Sequence, residues 1–216
     1  MTNHLNITCS GASGTAIASG KKTFYYCLNV DNQGNALKSI ATYAKELGKS
    51  AGVASTVEFF ETTPAIFGAN NPDRLQYSDI SKQMILESKL DVILGCGNPL
   101  YNDNGALVST PNYSNIGGKA FWEDIVSEST TFRTASLSGW TTVQDIDGDN
   151  VPDPWHLIQD SIEFAEAANG NVPKRLLGIA KAKTNLQLER TLTDGQLVYA
   201  DPPVKNVPDL SIMSKA

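Results

Sequence analysis

The chain holds 216 residues, with 17 basic and 23 acidic side chains, two histidines and three cysteines. A hydrophobic share of 41% and a charged share of 19% fit a globular domain that buries its own core, and they exclude a disordered segment. The net charge of −6 argues against a basic nucleic-acid groove. No apolar run is long enough to span a bilayer, and two histidines cannot supply a zinc site of three imidazoles.

The first six residues are polar and lack the apolar core of a signal peptide, so an exported protein would need its signal upstream. Cys9, Cys27 and Cys96 stand far apart with no CxxC pair, which points to buried small hydrophobes rather than a disulfide framework or zinc knuckle. Residues 8–20 are almost all small and let the backbone approach another element or a ligand closely. Ser10 reads as the N-cap of a short helix through Ala18, closed by Gly20. A helix is expected over 36–48, with Leu37, Ile40, Ala41, Ala44 and Leu47 on one face. An apolar strand follows at 50–57. The order then repeats, with a helix at 77–88 and a strand at 91–95. Short apolar strands between helices mark a mostly parallel sheet in an α/β protein.

From 98 to 153 the pattern weakens into Gly, Ser, Thr and Asn, and an insertion is expected there, with a helix at 121–128 and a strand at 132–137. Periodicity returns with a helix at 161–169 and a strand at 174–180. The prolines of 202–208 extend the chain, and Asp209 opens a final helix without an end. The domain reads as one unit over 1–216, cut short at both ends.

Three segments could carry chemistry. Ser10, at a helix N-terminus, sits where amides and the helix dipole favour an anion or an alkoxide; the plain alternative is an ordinary cap. Glu61 and Thr63 follow a strand, where ligands collect in parallel sheets, and offer two hard oxygens suited to Mg²⁺. The competing reading has a threonine capping a helix with Pro64 at its first position. Arg74 could clamp two phosphate oxygens. Separately, Asp145, Asp147, Asp149 and Asp153 form a DxDGDxxxD run whose carboxylates could wrap Ca²⁺, although a solvated acidic turn has the same composition.

Taken together, Thr8-Cys-Ser-Gly-Ala-Ser-Gly-Thr-Ala16, Gly20-Lys-Lys-Thr23, Ala44-Lys-Glu-Leu-Gly-Lys49, Glu61-Thr-Thr-Pro-Ala65, Arg74, Asp91-Val-Ile-Leu-Gly-Cys-Gly97, Trp155-His-Leu-Ile158, Lys174-Arg-Leu-Leu-Gly178 and Val207-Pro-Asp-Leu-Ser-Ile-Met213 resemble the alkaline phosphatase family in order and spacing. The resemblance implies a three-layer α/β/α sandwich and a phosphate monoester hydrolase. It makes Ser10 the residue that becomes phosphoserine and Arg74 the phosphate clamp. Ser10, Glu61 and Thr63 would lie on the Zn²⁺ and Mg²⁺ side, and the metals would replace a histidine base. It also implies a periplasmic or secreted enzyme and a homodimer.

Departures accompany the match. Cys9 stands where the family usually has Asp, which is expected to loosen Arg74. The Gly-Asp-Gly strand end upstream of the serine and the later Asp and His zinc ligands are missing. The chain is therefore expected to be a fragment inactive alone. The alternative is a catalytically dead metal- or phosphate-binding module of the same fold. A sulfatase is disfavoured because Cys9-Ser-Gly-Ala-Ser lacks that family's Pro and Arg.

Overall fold

The computed structural model describes residues 7–133, 142–170, 172–186, 190–191, 197–198 and 207–216. Four short runs pair into one parallel sheet: β1 (Gly52–Glu58), β2 (Val92–Cys96), β3 (His156–Ile158) and β4 (Leu176–Ile179). Their order is β1-β2-β4-β3. Gly52 pairs with Val92, Leu94 with Gly178, and His156 with Leu176. Parallel neighbours cannot be joined by a tight turn, so each connection crosses over, and helices supply most of the crossing. A separate antiparallel pair joins β5 (Arg190–Thr191) to β6 (Leu197–Val198).

The period of two along each strand divides the core into two layers. Ile93, Leu177 and Ile179 face one side. There they meet α1 (Ser10–Ser19), α2 (Ile40–Glu46), α3 (Thr62–Ala65), α4 (Tyr77–Lys82) and α5 (Lys119–Val126) through Ala18, Ala41, Ala65, Ile80 and Phe121. Leu94, Cys96 and Leu176 face the other side. There α6 (Ser161–Ala168) and α7 (Leu210–Met213) cover them with Phe164, Ala167 and Met213. A sheet between two helical layers is the α/β architecture expected. Gly178 permits the second layer to close, because a Cβ there would lie 2.5 Å from the Phe164 ring.

Several boundaries differ from expectation. The helix expected over 36–48 begins only at Ile40, because the Ser39 hydroxyl caps it and Ala36 forms an antiparallel bridge to Val30. Its apolar face is not buried throughout: Ile40 and Leu47 are exposed. The helix expected over 77–88 changes pitch. After α4 it widens into a π turn at Gln83–Glu87, which puts the consecutive Met84, Ile85 and Leu86 all inside the core. The loosened carbonyls find other donors: Trp155 Nε1 bonds Ile85 O at 2.9 Å and Gln144 Nε2 bonds Leu86 O at 3.1 Å. The expected strand at 132–137 lies mostly outside the described residues, as do His4 and most of 202–208; Phe132 itself joins the core.

The inner ends of the strands are tied by two cations. Lys45 reaches Asp91 at 2.6 Å, and the same carboxylate accepts the Ala51 amide at 2.7 Å. Arg175 is fully buried. Its guanidinium lies 3.7 Å from the Trp155 ring and donates to the carbonyls of Leu90, Ser88 and Asp153 at 3.1, 3.0 and 3.4 Å. Burial lowers its pKa, while the charges of Asp153 and Asp91 oppose that shift.

Candidate active site at Ser10

The N-cap of α1 is Cys9 rather than Ser10. The Cys9 backbone is extended, and its Sγ accepts the Ala12 amide at 3.4 Å and the Tyr26 amide at 3.1 Å. A thiol thus does the capping usually done by a hydroxyl or carboxylate. Ser10 becomes the first helical residue, and its hydroxyl is left for other work. Gly11 lets the turn close: a Cβ there would sit 2.6 Å from the Cys27 carbonyl oxygen, a backbone atom that cannot swing aside.

Arg74 fills the vacancy beside the hydroxyl. Nη1 donates to Ser10 Oγ at 2.5 Å and Nη2 to Glu61 Oε1 at 2.8 Å. The Arg74 amide donates to the Tyr26 carbonyl at 2.9 Å. Arg74 Nε is buried with no hydrogen-bond partner, an unusual state for an N–H of a cation. Tyr26 is the pivot of this arrangement. Its φ of 72° is left-handed, a strained choice for a tyrosine. In that conformation its N–H meets Cys9 and its C=O meets Arg74, so the backbone of one residue holds both the serine turn and the arginine.

Glu61 enters directly after β1, at the carboxyl end of the sheet. It caps α3, with Oε2 accepting the Thr63 amide at 3.3 Å. This corrects the expectation that a threonine caps this helix with Pro64 at its first position: the cap is a carboxylate and Pro64 is the third residue. The Thr62 hydroxyl also donates to Glu61 Oε1, at 3.3 Å. Thr63 is exposed on the same turn. The structure therefore brings Ser10, Glu61 and Arg74 into one chain of contacts and places Thr63 beside Glu61. Cys9 does not leave Arg74 loose, because Glu61 supplies the missing carboxylate.

Burial pushes the Cys9 thiol up, but the amides of Ala12, Tyr26 and Gly11 and the nearby Arg74 charge outweigh it, leaving the pKa below the ordinary thiol range. Across the site, burial raises the Tyr77 phenol; Glu61, Glu58 and Tyr26 add to the rise and Arg74 opposes it.

A sequence model of the family described as alkaline phosphatase matches residues 1–191. The chain belongs to the alkaline phosphatase family. It is similar to alkaline phosphatase 4 of Bacillus subtilis (strain 168), 39% identical over 102 residues, covering 45% of this chain and 22% of that protein. Alkaline phosphatase 3 of the same strain is 37% identical over 97 residues, covering 43% and 21%. Among solved structures, a cold-active alkaline phosphatase from the psychrophile Shewanella sp. matches 83% of this chain and 33% of its own length, at 26% identity and a TM-score of 0.55. Thermus thermophilus alkaline phosphatase matches 97% of this chain and 34% of its own length, at 24% identity and a TM-score of 0.60, a likeness of fold. The chain spans about a fifth of the length of those curated relatives and a third of the solved ones.

Alkaline phosphatase chemistry raises the question of metals, and the donors present answer part of it. Among the described residues, the group of three or more His, Cys, Asp and Glu placed to share an ion is Asp145, Asp147 and Asp149, whose ligand atoms lie within 4.8 Å of one another. That loop precedes β3, at the amino end of the sheet, whereas Glu61 follows β1 at the carboxyl end. The two sites are therefore on opposite edges. Around Ser10 one carboxylate is already engaged with Arg74 and with α3. His156 pairs with Glu128 at 2.8 Å, on β3. Among the described residues, none of these groups assembles a zinc sphere beside Ser10.

The acidic loop has an internal cation. Lys174 Nζ lies 2.5 Å from Asp147, 2.5 Å from Asp153 and 3.6 Å from Asp149. Hydrogen bonds to Asp147 and Asp153 raise its pKa. Asp145 instead accepts the amides of Gly148 and Asn150 at 2.7 and 2.8 Å. Asp153 also accepts the Ile146 amide at 2.8 Å, and Lys174 ties it to Asp147. Lys174, Arg175 and the Tyr26 backbone are the contributors that sequence reasoning missed. The Lys174-Arg175 pair ahead of an apolar strand was the available signal.

Proposed function

We propose that this chain carries the nucleophile and phosphate-binding part of a phosphate monoester hydrolase. Ser10 Oγ gives up its proton to solvent and attacks phosphorus, an Oγ–P bond forms, and the ester P–O bond breaks with its electrons leaving on the alcohol oxygen, which takes up a proton from solvent. Water later cleaves the phosphoserine. Arg74 donates to Ser10 Oγ, which favours the deprotonated oxygen, and its guanidinium brings positive charge to a phosphate on that serine. Glu61 orients the guanidinium. The observation that carries the reading is the single guanidinium spanning Ser10 and Glu61.

Zinc and magnesium belong to this proposal only as ions the family's chemistry calls for; when bound, they would supply Lewis-acid charge at the reacting oxygens. Glu61 and Thr63 would give magnesium two oxygens. Because the described residues gather no zinc sphere at Ser10, the chain alone is proposed to bind phosphate and to turn over little or not at all. Calcium at Asp145, Asp147 and Asp149 is proposed as the occupant of the acidic loop when Lys174 yields. A periplasmic or secreted location, a homodimer and an insertion at 98–153 complete the reading. Among the described residues no helix is long and apolar enough to cross a membrane.

The test has two arms. Calorimetry with inorganic phosphate is expected to give heat that Arg74→Ala abolishes; no such heat refutes the phosphate site. Hydrolysis of p-nitrophenyl phosphate with added Zn²⁺ and Mg²⁺ is expected to be negligible, and robust turnover lost in Ser10→Ala would overturn the claim of incompleteness. Millimolar Ca²⁺ is expected to give heat that Asp147→Ala removes and Lys174→Gln enlarges; absence of both effects ends the calcium assignment.

A further inference from the structure

Phe24, Tyr25 and Tyr26 are consecutive aromatic residues, exposed by 58, 60 and 41%. Such a run on one loop is unusual, because contiguous apolar surface is normally hidden unless it contacts something. The loop is not slack. The Cys27 amide closes a turn on the Phe24 carbonyl at 3.2 Å, and Leu28 and Asn71 exchange two backbone hydrogen bonds of 2.8 Å just beyond it. The Tyr26 backbone is fixed at both ends, on Cys9 and on Arg74. Its ring centroid lies 5.8 Å from the Arg74 guanidinium carbon, and the Tyr25 ring is 4.8 Å from the Tyr26 ring. A rigid aromatic surface therefore begins at the arginine that touches Ser10 and runs outward.

We infer that the Tyr25–Tyr26 surface selects the alcohol half of the ester, and that the preferred ligands are aryl phosphates rather than small alkyl phosphates. This rests on the phosphate-site reading above and adds to it the class of leaving group. With the phosphate on Arg74, the ester oxygen must project away from the buried side of the site. Tyr26 is exposed and lies beside the guanidinium. A tyrosine face accepts a flat aromatic group in offset or tilted contact and keeps its own hydroxyl in water. A methyl or glyceryl group has too little surface to gain from the same platform.

Calorimetric titration of the full chain with inorganic phosphate, methylphosphonate and phenylphosphonate separates the two ideas, since the phosphonates cannot be hydrolysed. Phenylphosphonate is expected to bind about fivefold more tightly than methylphosphonate, the size of one aromatic contact. Tyr25→Ala should remove most of that gap and leave inorganic phosphate unchanged, and Tyr25→Phe should keep the gap because the ring carries the effect. Equal affinity for the two phosphonates, or a gap untouched by Tyr25→Ala, overturns the inference while leaving the phosphate site standing. Failure of inorganic phosphate to bind, or binding indifferent to Arg74→Ala, overturns the phosphate site and the inference with it.

Discussion

Replacing Arg175 by Met keeps much of the side-chain volume but removes every donor. Three carbonyls, those of Leu90, Ser88 and Asp153, then face the core with nothing to accept. At about 1–3 kcal/mol for each orphaned acceptor, the loss is about 3–9 kcal/mol. The contact with Trp155 at 3.7 Å adds about 2 kcal/mol for a desolvated cation over an indole. Against this, the variant no longer buries a charge, which returns several kcal/mol. The balance is a net loss of about 2–5 kcal/mol. For a chain of this size each kcal/mol shifts Tm by about 2–4 °C, so the melting midpoint should fall by about 4–20 °C. Differential scanning calorimetry and urea midpoints measure it. Arg175→Lys should fall between wild type and Met, because one ammonium cannot reach three carbonyls set in a fork. A Met variant as stable as wild type would refute the reasoning, since it would mean that desolvation of the cation cancels all three hydrogen bonds.

Alkylation of Cys9 by iodoacetamide, followed by mass spectrometry across pH, should show a midpoint below the ordinary thiol value of about 8.5, and Arg74→Ala should move it upward; an unmoved midpoint would remove Arg74 from the thiol's surroundings. Asp160 caps α6, accepting the amides of Ile162 and Glu163, so Asp160→Ala should cost about 1 kcal/mol at neutral pH. Burial raises the Asp160 pKa, but the Glu163 amide and Lys181 outweigh it and leave it low. Its contribution is therefore present above the unfolded carboxyl value near 4 and lost as pH falls through the lower folded value. The gap between variant and wild type in urea midpoints should accordingly narrow as pH falls below the ordinary carboxyl range, and a gap that widens in acid would contradict the cap.

Much of the framework was legible because it rests on local patterns. Apolar runs at 92–96 and 176–179 are strands buried on both faces, and nothing else suits four or five such residues between helices. β3 was missed because three residues on a sheet edge carry no periodicity. A helix start differs from expectation where a side chain decides it: Ser39 starts α2 late, whereas α6 begins at Ser161 as expected, behind the Asp160–Glu163 capping box. At the site, Ser10, Glu61 and Arg74 could be named, but their arrangement could not. Which residue caps α1 depends on Tyr26 arriving from sixteen positions beyond Ser10, and a left-handed tyrosine has no sequence signature. The expectation that Cys9 would free Arg74 failed because Glu61 was assigned to a metal instead of to the arginine. Lys174 entering the acidic loop from twenty-one positions after Asp153 is equally invisible to motif spacing.

The π turn at Gln83–Glu87 amounts to one surplus residue in a helix. Deleting that residue would close the wide turn into an ordinary one and leave its flanks in phase, because an i→i+5 turn spends one residue more than an i→i+4 turn on the same revolution. Ser88, Leu90 and Asp91 would keep their places against Arg175 and Lys45. The loss would fall on the core, where the consecutive Met84, Ile85 and Leu86 are all buried. A natural deletion at this point is therefore expected to come with larger side chains nearby in the core, while Lys45 and Arg175 stay as they are.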